Sequence, residues 1–270
     1  MMYYIEMKTF NIVNSKQQNI EVALDTVSEQ PTGTAMIMHG FGGFKEQKQV
    51  MAFTDAFLEN NFQVLRIDAT NANGKSDGTT KDATFDSYTA DYEDVYQWAK
   101  VQDWFMEPLA VCGHSMGAHA AIWFAGKHVD EVSFLLPMAP VVNQQLYVST
   151  KSDAEIQAIK ERGVIELPSR SVPGKINYYS YDNFKSLERF DLTAITSKLT
   201  MPMLDIVGEK DDTTPTAHQQ VLLDASASSD KTLVELDGLD HNYRSEDEDY
   251  DASVNRVTEV ISKWLEKRIG

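Results

Sequence analysis

Near the middle of the chain, Gly113-His114-Ser115-Met116-Gly117 places a serine between two glycines. The apolar run Leu109-Ala110-Val111-Cys112 comes before it and the small, apolar stretch 118–125 after it. Strand, sharp turn, helix is the setting of a nucleophile elbow, in which the turn lifts a hydroxyl clear of the sheet and aims the next amide at the same spot. Glycines two before and two after let the backbone turn without Cβ clashes. Ser115 is therefore the candidate nucleophile. The plainer alternative is a helix start with a serine in its first turn; the flanking strand and small-residue helix favour the elbow. Gly74-Lys75-Ser76-Asp77-Gly78 has the same spacing but runs into polar, turn-like Thr79-Thr80-Lys81-Asp82, which predicts a surface loop.

A serine hydroxyl needs a base, and the base needs a group to orient it. His241 follows the last predicted strand and Asp211 the strand before it, giving the chain order Ser115, Asp211, His241. In that scheme His241 takes and returns the serine proton, while Asp211 holds the imidazole tautomer. Asp212, next to Asp211, remains an alternative acid. Asp205 lies within a strand and is expected to point into the other layer. His114 flanks the serine, but neighbours on an elbow diverge. His119, His128 and His218 fall in predicted helices and read as packing or surface residues. His39 ends an early strand and could support the site through a hydrogen bond. It opens His39-Gly40-Phe41-Gly42-Gly43, whose glycines let backbone amides approach a ligand. The amides of Phe41 and Met116 are the expected oxyanion donors, against the alternative of a plain strand-to-helix turn.

The elements that must position these groups alternate. A hairpin is expected from 10–13 and 20–24, then strands at 35–38, 62–67, 109–112, 132–136, 203–207 and 232–236. Helices are expected through Val50, Phe53 and Phe57, through Phe85 to Ala99, after the elbow, through His218 to Ala225, and through Val254 to Leu265. Such alternation implies a parallel sheet with right-handed crossovers. Between 141 and 199 it stops. That segment carries a predicted helix (154–162), breaks at Pro168 and Pro173, and the aromatic group Tyr178, Tyr179, Tyr181, Phe184, and it reads as an ordered cap over the strand ends. The acidic run 246–251 precedes the last helix, where negative charge complements the helix dipole.

A chain of 270 residues readily buries a core, and its net charge of −17 argues against nucleic acid and anionic membrane surfaces as partners. Cys112 is the only cysteine, so no intrachain disulfide forms, and a reducing cytoplasm is the expected compartment. The residues 1–8 lack a leader's basic and apolar segments, and no stretch is apolar enough to span a membrane. No His, Cys or carboxylate spacing suits a metal and no glycine-rich loop suits a phosphate, so neither metal nor cofactor is expected.

With the His39 to Gly43 stretch, the elbow, the loop 208–215 and Asp240-His241 taken together, the chain resembles the α/β-hydrolase superfamily over nearly its full length. It is similar in look to the cinnamoyl (feruloyl) esterase and monoacylglycerol-lipase-like branch. Gly74 to Gly78 resembles that branch's Gly-x-Ser-x-Gly loop, which shapes the fold. The resemblance implies Ser115, Asp211 and His241 as triad, Phe41 and Met116 as oxyanion donors, and the insertion as lid. Met116 stands where cinnamoyl esterases usually carry glutamine, and Ala72 where their loop has a further glycine. The expected architecture is an α/β-hydrolase core (1–140 and 200–270), with about eight mostly parallel strands and helices on both faces, and a lid insertion at 141–199. The expected activity is a serine carboxylesterase acting through an acyl-enzyme on small-molecule esters with short or medium acyl groups, aromatic ones included. Thioester or amide cleavage by the same triad is the alternative, and a non-catalytic binding protein is a second.

Overall fold

The computed structural model describes residues 6–27 and 30–269. The leader reading of residues 1–8 falls mostly on positions 1–5, outside them. A hairpin of β1 (Glu6–Val13) and β2 (Asn19–Thr26) opens the chain. It is followed by β3 (Thr34–Met38), α1 (Lys48–Glu59), β4 (Gln63–Ile67), α2 (Phe85–Ala99), β5 (Leu109–His114), α3 (Met116–Lys127) and β6 (Val132–Met138). An insertion contributes α4 (Gln144–Ser149), α5 (Asp153–Arg162), an antiparallel pair β7 (Val164–Pro168) and β8 (Ile176–Ser180), α6 (Tyr181–Ser186) and α7 (Leu192–Thr196). The alternation then resumes with β9 (Met203–Gly208), α8 (Thr216–Ala225), β10 (Lys231–Leu236) and α9 (Tyr250–Ile269).

Eight strands form one sheet in the order β1-β2-β4-β3-β5-β6-β9-β10, parallel from β4 onward and antiparallel at β1–β2 and β2–β4. The helices cover both faces, and this is the α/β-hydrolase fold. Strand side chains alternate between faces. Met36, Met38, Leu65 and Val111 accordingly join one core with α2, α3 and α8, while Ala35, Ile37, Val64 and Cys112 join the other with α1 and α9. The small pair β7–β8 was not expected from the sequence. The residues of β7 are exposed or half-buried, and the buried positions of β8 are the polar Asn177 and Ser180, so neither strand carries the apolar alternation of a core strand.

The aromatic stripe of α2 is core, as its three- and four-residue spacing predicts: Tyr88 and Tyr92 are fully buried. The Tyr92 hydroxyl bonds the carbonyls of Met36 and Cys112 on two strands, and the Tyr88 hydroxyl that of Gly40. No helix among the described residues is long and apolar enough to cross a membrane.

Charge ties the strand-end loops together. Lys45, just past the His39 to Gly43 stretch, is buried with Nζ 2.8 Å from Asp68 and 2.6 Å from Glu21. Burial disfavours its charge, but the carboxylates around it win and raise its pKa. Asp68 also accepts from the Lys45 and Lys75 amides. Ser76, the serine of the second Gly-x-Ser-x-Gly, spends its hydroxyl on the Asp68 carbonyl (2.6 Å) and accepts from the Glu21 amide. Its role here is to hold a loop.

The α1–α9 layer should be the fold's mechanical support. Phe57 of α1 is fully buried, edge-on to Phe62 at 5.4 Å. Phe57→Ala is expected to lower unfolding free energy by about 3–5 kcal/mol in urea titrations, with the slope unchanged.

Candidate active site

Ser115 sits between β5 and α3 with φ 54° and ψ −114°, a conformation L-residues rarely hold. The surroundings impose it: Ser115 N–H donates to Met138 O at 2.8 Å and Ser115 O accepts from His119 N–H at 3.0 Å. The flanking glycines serve close approach, since a Cβ on Gly113 would lie 2.4 Å from the Gly117 backbone and one on Gly117 2.3 Å from Met38 O. The positive φ therefore falls on the serine itself, and the glycines clear the space around it.

His241 Nε2 lies 3.0 Å from Ser115 Oγ, and His241 Nδ1 2.7 Å from Asp211 Oδ2. A carboxylate only accepts, so Nδ1 carries the proton and Nε2 presents a lone pair to the serine hydroxyl. All three residues are buried. Burial pushes the Asp211 carboxyl up, but the neighbouring His241 and the amides of Thr213 and Thr214 outweigh it and bring the pKa down to about 2. Asp211 therefore stabilises the fold above the ordinary carboxylate value and loses that contribution as pH falls through about 2. The Thr214 hydroxyl lies 2.9 Å from the same carboxylate and 3.1 Å from Ala139 O, tying the acid loop to the end of β6. Gly208 lets the acid and histidine loops meet, because a Cβ there would come 2.2 Å from Leu239 O.

The alternatives separate cleanly. Asp212 is exposed and bonded to Thr213. Asp205 is fully buried inside β9, with no hydrogen-bond partner on either oxygen among the described residues. His119 donates to Val141 O from α3, His218 faces Ser149 from α8, and His128, just past the end of α3, lies between Glu93 and Glu131. His114 corrects the expectation that it diverges. Its ring lies 4.9 Å from that of His241, and its Nε2–H donates to His241 O at 2.8 Å. Burial, and the adjacent His241, lower its pKa to about 3, which keeps it neutral beside the base. Nothing in the spacing signals this contact, because it joins residues 127 apart in sequence.

Ser115, His241, Gly40, Phe41 and Met116 share the wall of a cavity of about 530 Å³. A Cβ on Gly40 would come 3.1 Å from Ser115 Cβ and from His114 Nδ1, so a larger residue would crowd the nucleophile and its neighbour. Neither the Phe41 amide nor the Met116 amide at the first position of α3 has an acceptor among the described residues. The apolar wall includes Phe85, Val141, Tyr147, Ile159, Tyr179 and Phe184, with Gln47, Ser171, Asn177 and Asn242 as polar neighbours. Of the aromatic group in the insertion, Tyr179 and Phe184 line the cavity, Tyr181 stacks on Phe184, and Tyr178 on the other side of β8 is exposed. The insertion is fastened to the core loops: Asn73 Nδ2 donates to Gly42 O and Asn177 Oδ1, and Gln47 to Ser171.

The family model described as serine aminopeptidase, S33, matches residues 29–183. Among solved structures, Est1E from Butyrivibrio proteoclasticus with ferulic acid bound is 20% identical over 96% of this chain and 99% of that one, with a TM-score of 0.78. Mouse alpha/beta hydrolase domain-containing protein 10 is 18% identical over 96% and 99%, with a TM-score of 0.75. An esterase domain from a Rhodothermus marinus protein is 19% identical over 98% and 100%, with a TM-score of 0.69. At these identities the likeness is one of fold. No curated protein matches the chain.

Burial pushes the Asp205 carboxyl well up. An acid that binds its proton more tightly when folded costs stability as pH rises above about 4, where the unfolded chain ionises and the folded one does not. Asparagine does not titrate. The difference in thermal midpoint, Asp205→Asn minus wild type, should therefore grow between pH 4 and 8. A flat difference would mean that Asp205 ionises freely in the folded protein.

Proposed function

This chain belongs to the serine aminopeptidase S33 family of α/β-hydrolases, and we propose that it is a serine carboxylesterase that cleaves short or medium acyl esters, aromatic acyl groups included, through an acyl-enzyme. One observation carries the reading: an aligned Asp211–His241–Ser115 relay opening into a largely apolar cavity. His241 removes the Ser115 proton as Oγ attacks the ester carbonyl. The amides of Phe41 and Met116 receive the oxyanion, and His241 returns the proton to the leaving alcohol. Water then repeats the sequence on the acyl-enzyme. Asp211, ionised in a buried place, holds the tautomer and balances the imidazolium. The insertion acts as the lid, its Tyr179 and Phe184 walling the acyl group.

The family description favours a second reading, an aminopeptidase. Such an enzyme needs a carboxylate to receive the substrate's terminal ammonium. Among the described residues lining the cavity the only carboxylate is Glu155, exposed on α5 and already bonded to the amide and hydroxyl of Ser152. A single exposed carboxylate, held at the start of its own helix, is a poor receiver for that ammonium, which supports the ester.

The deciding measurement is a panel of p-nitrophenyl esters of rising chain length, with methyl ferulate and aminoacyl p-nitroanilides beside it. Short and medium esters should be turned over fastest, and faster turnover of the anilides would replace the esterase with the peptidase. Ser115→Ala should abolish fluorophosphonate labelling, and Ser115→Ala or His241→Ala should lower kcat by roughly 10⁴-fold or more.

A further inference from the structure

We infer that His39 and Tyr88, which stand behind the site, set the direction of the Phe41 amide; the inference rests on the reading of that amide as an oxyanion donor. The Gly40 carbonyl oxygen receives three donors: His39 Nδ1 at 2.7 Å, the Tyr88 hydroxyl at 3.1 Å and Gly43 N–H at 3.0 Å. The His39 tautomer follows from its partners. Ala69 N–H can only donate, and it donates to His39 Nε2 at 3.0 Å, so the proton sits on Nδ1 and points at Gly40 O. Both side chains are fully buried and lie edge to face, ring centroids 5.9 Å apart.

The consequence is geometric. A peptide unit is planar and trans, so the carbonyl of one residue and the N–H of the next point in opposite directions. Gly40 O and Phe41 N–H belong to one such unit. Donors that hold the oxygen toward the buried side turn the amide hydrogen toward the cavity wall that Gly40 and Phe41 share with Ser115. The glycine before Phe41 would otherwise leave this unit free to rotate. An oxyanion donor acts through its alignment with charge that develops only in the transition state. His39 and Tyr88 are therefore positioning residues, felt in turnover and little in substrate binding.

The fold supplies an internal control. Tyr92 lies one turn further along α2, equally buried, with its hydroxyl bonded to the Met36 and Cys112 carbonyls, which belong to strands and orient no free amide. Wild type, Tyr88→Phe, Tyr92→Phe and Ser115→Ala should be compared on one p-nitrophenyl ester for kcat and KM, with thermal midpoints and inhibition by an alkyl trifluoromethyl ketone, which forms a tetrahedral adduct. Tyr88→Phe is expected to lower kcat about tenfold with KM unchanged and to weaken the ketone by the same factor. Tyr92→Phe is expected to lose comparable thermal stability and keep its kcat. His39→Gln, which can donate to Gly40 and accept from Ala69, should keep more activity than His39→Leu. Wild-type kcat in Tyr88→Phe, or an equal loss in Tyr92→Phe, would overturn the inference while leaving the esterase reading standing. Undiminished turnover by Ser115→Ala would overturn both.

Discussion

The backbone turn at Ser115 is the constraint on which the rest depends. A left-handed φ on a serine costs on the order of 1–3 kcal/mol, and it persists because the packing leaves no alternative. Gly113 and Gly117 come within contact distance of each other, and Gly117 against the end of β3. The Ser115 amide is tied to β6 and its carbonyl to α3. Shift any of these and the hydroxyl leaves the rim where β3, β5, β6 and β9 end. The central place of β5 in the sheet, with four strands on one side and three on the other, makes that rim a rigid reference for every loop that reaches it.

Around this point the charges are arranged so that one carboxylate is ionised and the adjoining buried groups are neutral. Asp211 has four donors close by, in the Thr213 and Thr214 amides, the Thr214 hydroxyl and His241 Nδ1. Asp205, inside the strand β9 that leads into the Asp211 loop, has no hydrogen-bond partner on either oxygen among the described residues and is pushed the other way by burial. His39 and His114 are each bonded to a backbone carbonyl and held neutral by burial. A second positive charge beside His241 would oppose the imidazolium that the proposed mechanism requires, and the low pKa of His114 removes that conflict.

The insertion and the core meet through polar side chains and aromatic edges. Asn73 reaches both the Gly42 carbonyl and Asn177, and Phe41 meets Tyr179 edge-on at 5.4 Å. Contact between the insertion and the His39 to Gly43 loop means that the residues walling the cavity also bear on the loop that carries one of the proposed oxyanion donors.

The sequence by itself determined the order of the strands of the main sheet and the helices between them, the elbow, and a short list of candidates: one serine, two adjacent carboxylates and one histidine. These are local matters: alternation over a few residues, a three- to four-residue apolar stripe, glycines at fixed offsets. Even the two Gly-x-Ser-x-Gly stretches were distinguishable locally, because an apolar helix succeeds Gly117 and a polar turn succeeds Gly78. Only the tertiary structure decided that Asp211 and not Asp212 meets the imidazole, that His114 bonds the carbonyl of a residue 127 positions away, and that Tyr88 serves a loop as well as a core. Side-chain direction at a loop end, and the partner of a buried hydroxyl or ring nitrogen, depend on distant segments converging, and no local period encodes that convergence. The β7–β8 pair escaped for a related reason: β7 is exposed or half-buried throughout, and the inward positions of β8 include the polar Asn177 and Ser180, so no apolar alternation marks either strand.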